Sequence, residues 1–113
     1  MTSTEALVQL MSAVLPKEKI YPEVVPAEVQ APFAAYSEET DPNETFDGNA
    51  GDSDTTVVTV AAHTKRAARA LADRIVEAVG GKVSDGYAFY FQGRKFVMYA
   101  DRLSSYELTF KIL

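Results

Sequence analysis

The sequence predicts an α+β fold in which two helices pack on a mainly antiparallel sheet of about five to six strands, a single pair of layers. Three observations lead there. An alanine-rich run with helical spacing over 65–79 follows a stretch rich in β-branched residues, a second helical run stands near the N-terminus, and the C-terminal third alternates apolar and polar residues with a period of two.

Taken in order, Thr2 followed by Glu5 forms a capping box. Leu7, Leu10, Met11, Val14 and Leu15 then recur at helical spacing until Pro16, which gives a first helix over 3–15. Its apolar stripe reads as a core-packing face in preference to a partner-binding one. Pro22, Pro26 and Pro32 exclude regular helix from the next stretch, which reads as an extended connection with a short strand at Ile20 and Tyr21. Residues 32–38, PFAAYSE, read as a strand with Phe33 and Ala35 on one face and Ala34 and Tyr36 on the other. Residues 55–63, TTVVTVAAH, read as the central strand. Thr64 caps a second helix over 65–79, with Ala68, Leu71, Ala72, Ile75 and Val79 as its buried stripe and Gly80 and Gly81 as its stop. Three strands follow, YAFYFQ at 87–92, KFVMYA at 95–100 and YELTFKI at 106–112, joined by tight turns containing Gly and Ser. In the last, Tyr106, Leu108, Phe110 and Ile112 alternate with Glu107, Thr109 and Lys111, as in a sheet with one solvated face. The predicted order is αβββαβββ.

At 113 residues the chain fits a single domain, 1–113, and its 47% apolar content supports a packed core. It has no cysteine, so a disulfide framework, a thiolate metal site and a cysteine nucleophile are excluded. The N-terminus lacks the basic region of a signal peptide, and its polar residues interrupt the apolar run well short of a membrane span. A soluble protein of the cytosol, with no membrane partner, is expected. The net charge of −5 argues against specific nucleic-acid binding, which needs a dense cationic face to release counterions.

The charge is concentrated. Residues 38–54, EETDPNETFDGNAGDSD, hold seven carboxylates, no basic residue and one large apolar residue, Phe46. So charged a segment cannot bury enough apolar surface to offset the entropy of ordering it, and is expected to be a flexible loop or to order when a partner docks. As a calcium loop it fails in both registers: counting from Asp41 puts Phe46 where glycine is needed, and counting from Asp47 puts Asp52 there and Val58 in place of the bidentate glutamate. The glycines form neither a P-loop nor a dinucleotide fingerprint. His63, the only histidine, has no nucleophile motif beside it. No catalytic, metal-binding or cofactor-binding residue is assigned, and no enzyme activity is expected.

One electrostatic anomaly points elsewhere. Lys65, Arg66 and Arg69 crowd the first turns of the second helix, the end at which the helix dipole favours anions. Arg69 has Asp73 four residues on as an ion-pair partner. The basic end is either a solvated face or meets a carboxylate-rich surface, which the chain carries in its own acidic segment.

IYPEVVP at 20–26, APFAAYSEE at 31–39, PNETFDGNAG at 42–51 and VVTVAAHTKRAARALADRIVEAV at 57–79 together resemble the small tail-completion proteins of long-tailed phages and prophages, the tail terminators or tail-to-head joining proteins. The ordered set carries the likeness: a Tyr-Pro step, a Pro-aromatic strand, a Thr-x-Asp-Gly loop, and a strand leading into an Ala-rich helix. It covers about residues 5 to 80. The last third matches only in being strand-rich, and an aromatic frequent near the end of the central strand is here Ala62 or His63.

The resemblance implies an α+β subunit without catalysis. It forms a ring, often hexameric, at the head-proximal end of the tail tube. Its partners are itself, the tail tube protein and the head connector protein, and its place is the tail–head junction of the virion after assembly in the host cytoplasm. A ring around a DNA channel also benefits from an acidic lumen, to which the passing backbone does not stick. Joined to the charge pattern, this makes Asp47, Asp52 and Asp54, with Phe46 among them, candidates to meet Lys65, Arg66 and Arg69 of the neighbouring subunit. Alternatives are a related head–tail connector or tail-tube-like component, or a monomeric cytosolic binding module with an acidic recognition loop.

Overall fold

The structure, a computed structural model, describes residues 2–26, 29–40, 54–99 and 103–112. In chain order the elements are α1 (Ser3–Met11), a short 3-10 turn (Lys17–Lys19), β1 (Ile20–Pro22), β2 (Phe33–Thr40), β3 (Asp54–Ala62), α2 (Lys65–Val79), β4 (Lys82–Ser84), β5 (Tyr87–Met98) and β6 (Ser104–Ile112). The strands form one six-stranded sheet in the order β1-β2-β3-β6-β5-β4.

The fold is α+β with two helices, but the sheet differs from the expected mainly antiparallel one. It is mixed and curls into a half-barrel. The mixing arises because the proline-broken connection after Pro22 carries the chain back to the end at which β1 began. β2 therefore lies parallel to β1, with Ile20 opposite Ala34 and Pro22 opposite Tyr36. The curl follows from the right-handed twist of long strands, which a bulge in β5 increases.

Local chemistry explains both helices. At α1, Thr2 Oγ1 accepts from the Glu5 N–H at 3.2 Å while Glu5 Oε1 accepts from the Thr2 N–H at 3.3 Å, the reciprocal cap. The helix ends at Met11, earlier than the expected residue 15. Ser12 Oγ donates to the Gln9 carbonyl at 2.6 Å, and the chain tightens into a turn in which Val14 and Leu15 both bond back to Met11. Pro16 also disfavours helical geometry at the residue before it. Leu15 is nevertheless buried. At α2, Thr64 Oγ1 accepts from the Ala67 N–H at 3.0 Å. Gly80 closes the helix on Val76 O, and Gly81, with φ of +73°, donates to Phe89 O at 2.7 Å, fastening the helix end to β5.

One core lies between the helices and the concave face of the sheet. Ala6, Leu7 and Met11 of α1 and Ala68, Leu71, Ala72, Ile75 and Val79 of α2 meet Ala34, Val58, Val60, Phe89, Leu108 and Phe110. Each large side chain removed from water here contributes about 1.5–3 kcal/mol. β6 alternates as its sequence requires, with Leu108, Phe110 and Ile112 buried between half-buried Glu107, Thr109 and Lys111. The convex face is not wholly solvated: Phe33 and Ala61, paired across β2 and β3, are buried, and Phe33 meets the Tyr99 ring edge-on at 5.5 Å.

The C-terminal third is organised differently from the expected three short strands. Residues 87–92 and 95–98 belong to one strand, β5, which crosses Gly93 without turning and ends at Met98. Phe91 faces Phe110 and Gly93 faces Thr109, so Gln92 is the extra residue of a bulge. The bulge shifts the side-chain alternation by one. Phe89 and Phe91 lie on the concave face before it and Arg94, Phe96 and Met98 after it, in register with Ile112, Phe110, Leu108, Tyr106 and Ser104. β4 supplies the third strand through a hairpin at Asp85 and Gly86, with φ of +50° and +84°. Asp-Gly at a two-residue turn is a strong hairpin signal that the reading of the sequence passed over.

Candidate functional site

The basic start of α2 and the strands beneath it form one surface. Lys65, Arg66 and Arg69 are exposed on the first two turns and, with Ala70, Asp73 and Tyr106, line an open groove of about 460 Å³. Lys65 Nζ stands 4.7 Å from the centre of the Phe96 ring, which in turn meets Tyr106 edge-on at 5.4 Å. The aromatic face attracts the ammonium and offsets part of its poor position on the helix dipole.

Asp73 does not serve Arg69 as expected. Arg94 on β5 donates to Asp73 Oδ1 at 2.6 Å, with the two side chains 35% and 55% exposed. The bulge before Arg94 brings this about, because it turns Arg94 to the helix side. So exposed a pair adds at most about 1 kcal/mol, and its role is to set β5 against α2.

The sequence-predicted acidic partners fall out differently. Phe46, Asp47 and Asp52 lie outside the described residues. Asp54 opens β3, opposite Thr40 and Ile112, while α2 starts just past the other end of that strand. At about 3.3 Å per residue the two ends of β3 stand roughly 26 Å apart, so Asp54 and Lys65 of one subunit cannot meet. His63 is exposed at the β3–α2 junction and borders an apolar groove with Pro32, Ala62, Ala67 and Leu71. The one hydroxyl lining that groove, that of Thr64, is committed to the helix cap. Among the described residues no group of three or more His, Cys, Asp or Glu is placed to hold a metal ion, and no helix is long and apolar enough to cross a membrane.

A feature the sequence reading missed adjoins the basic helix end. From Tyr90 to Met98 no residue of β5 is buried, and Tyr90, Phe91, Phe96 and Met98 are 48%, 40%, 37% and 62% exposed. They are four of the six exposed large hydrophobics among the described residues, gathered on one strand. Clustering of this kind marks an interaction surface, whereas scattered exposed apolar residues mark nothing. The run of aromatic and methionine residues through 87–99 was the available signal.

No protein-family model and no curated protein matches the sequence. Among solved structures, a chain of the "Virion of native gene transfer agent (GTA) particle" superposes with a TM-score of 0.72 at 17% sequence identity, covering 97% of this chain and 92% of that one. At that identity the likeness is one of fold, and it runs through the C-terminal third that the residue resemblance left out.

Proposed function

We propose that this chain is a structural virion protein that assembles as a ring, caps the tail tube and joins it to the head connector, without catalysis. The observation that carries this reading is the near-complete overlap in fold with a chain of a gene transfer agent virion. The ordered tail-completion resemblance over residues 5 to 80 supports the same assignment from the residues. The clustered apolar and basic surface of β5 and the start of α2 supplies a contact area of the kind assembly uses. Within the ring, Asp47, Asp52 and Asp54 of one subunit meet Lys65, Arg66 and Arg69 of the next. Asp54 and Lys65 lie too far apart to meet within one subunit, which is compatible with a pairing between copies.

The test combines sizing and electron microscopy of the purified protein, alone and with tail tubes assembled from its cognate tube protein. Rings, and tubes closed at one end, are expected. A protein that stays monomeric at high concentration and leaves tubes growing overturns the reading and favours the binding module. Replacing Lys65, Arg66 and Arg69 with glutamate should weaken the ring, and replacing the three aspartates with lysine in the same chain should partly restore it. Unchanged assembly after the first step discards this charge pairing while leaving the ring in place.

A further inference from the structure

Each outer region of the sheet is only half covered. β4 pairs with β5 through Tyr87, Ala88 and Phe89 alone, so from Tyr90 to Met98 the strand has β6 on one side and, among the described residues, no strand on the other. Among the described residues no backbone group of this stretch bonds to backbone outside the β5–β6 ladder. The bulge at Gln92 interrupts it and leaves Arg94–Met98 as a regular open edge. At the other side, β1 pairs with β2 through Ala34, Ala35 and Tyr36 alone. Among the described residues, Ser37–Thr40 therefore has β3 on one side and no strand on the other.

The two open edges are similar in length and opposite in charge. Lys95 stands on the β5 edge beside Arg94, whose guanidinium is paired with Asp73, and Glu38 and Glu39 stand on the β2 edge, opposite Thr56 and Thr55. An edge strand offers unpaired N–H and C=O groups to any second strand, and opposite charges across such a pair select the partner. Pairing β5 with β5 would set cations against cations, and β2 with β2 would set carboxylates against carboxylates. Only the unlike pairing is complementary. It joins different patches of two copies, a head-to-tail contact that repeats from subunit to subunit and closes into a ring where the rotation permits.

We infer that the Arg94–Met98 edge of β5 receives the Ser37–Thr40 edge of a second copy of this chain, continuing the sheet from subunit to subunit. This rests on the ring reading and names its contact. Phe96 and Met98 are covered in the joint, and the ring's inner charge pairing involves Lys95 with Glu38 or Glu39.

The absence of native cysteine makes the test direct. Lys95→Cys and Glu39→Cys variants are prepared singly and as a double variant, and oxidised at assembling concentration. A mixture of the two single variants should give cross-linked dimers joining one of each, and the double variant a ladder of multimers, with little product from either single variant alone. Glu38→Lys with Glu39→Lys should weaken assembly several-fold, and adding Lys95→Glu in that chain should partly restore it; circular dichroism on each variant separates lost assembly from lost folding. Rings by electron microscopy without the mixed cross-link overturn the edge contact and leave the ring reading standing. Dimers of Lys95→Cys alone overturn it in favour of a two-fold contact. Absence of both rings and cross-links, with and without tail tubes, overturns both readings.

Discussion

Thr64 and Thr2 show how much a single side chain contributes when it stands at a helix start. Each hydroxyl accepts from a backbone N–H that has no partner within the helix. Thr64→Ala should lower stability by about 1 kcal/mol in urea unfolding without changing the dependence on denaturant, whereas Thr64→Ser should be near neutral. At α1 the Glu5 carboxyl sits below its usual range because the Thr2 backbone N–H, and then its hydroxyl, bond to the charged form. A carboxyl whose folded pKa is depressed stabilises the fold above its unfolded value, and that contribution is lost as the pH falls through the lower folded value. The Glu5 carboxyl followed by nuclear magnetic resonance should titrate below a model peptide, and Thr2→Ala should return it towards the peptide value. At Gly80 the constraint is space. A Cβ there would meet Val76 O at 2.8 Å, so the stop signal of α2 is also a packing requirement.

At the scale of elements the bulge in β5 has the widest consequences. By spending one residue it keeps Phe91 against Phe110 and, beyond it, Phe96 against Tyr106, although these aromatics are an odd number of positions apart in sequence. Deleting Gln92 should force a choice between a regular ladder and these contacts. Either way the Arg94–Asp73 pair and the Lys65–Phe96 contact cannot both persist with the first half of the strand in place. A loss of about 1–3 kcal/mol is expected from the aromatic and cation–π contacts together, with chemical shifts at Arg94 and Tyr106 displaced and those of α1 unchanged. An unaltered melting temperature would show that β5 beyond the bulge contributes nothing to the fold. Buried hydroxyls reinforce the neighbouring strands: Thr56 donates to Ser37 O at 2.8 Å and Ser105 to Val97 O at 2.6 Å, so neither enters the interior unsatisfied.

For the whole molecule, the distribution of exposure sets what assembly should look like. In the proposed ring the apolar residues of β5 supply the area, and the charges around them supply register more than affinity, since exposed pairs contribute about 0.2–1 kcal/mol each. Raising salt should therefore loosen the ring, by light scattering, without abolishing it. Complete dissociation at moderate salt would mean that charge alone holds the subunits. Amide exchange offers a second view: β3 and β6, each paired on both sides along most of their length, should exchange slowest, and residues 90–98 should gain protection on assembly.

Features written in short-range chemistry were legible before the fold was known. The caps at Thr2 and Thr64, both ends of α2, its buried stripe and the alternation of β6 each depend on residues within a turn or two of one another. The exposed cations Lys65, Arg66 and Arg69 were legible for the same reason. What the sequence left open depends on the strand lying opposite. Gly93 is equally at home in a turn and in a bulge, and becomes a bulge only because β6 continues past it and has side chains for Phe91 and Phe96 to meet. β1 is parallel to β2 because of where the connection returns, Asp73 pairs with Arg94 across elements rather than with Arg69 along one helix, and the exposed half of β5 exists because β4 is too short to cover it. Pairing between distant segments fixed these, since a residue's own conformational preference does not specify its neighbour across a sheet.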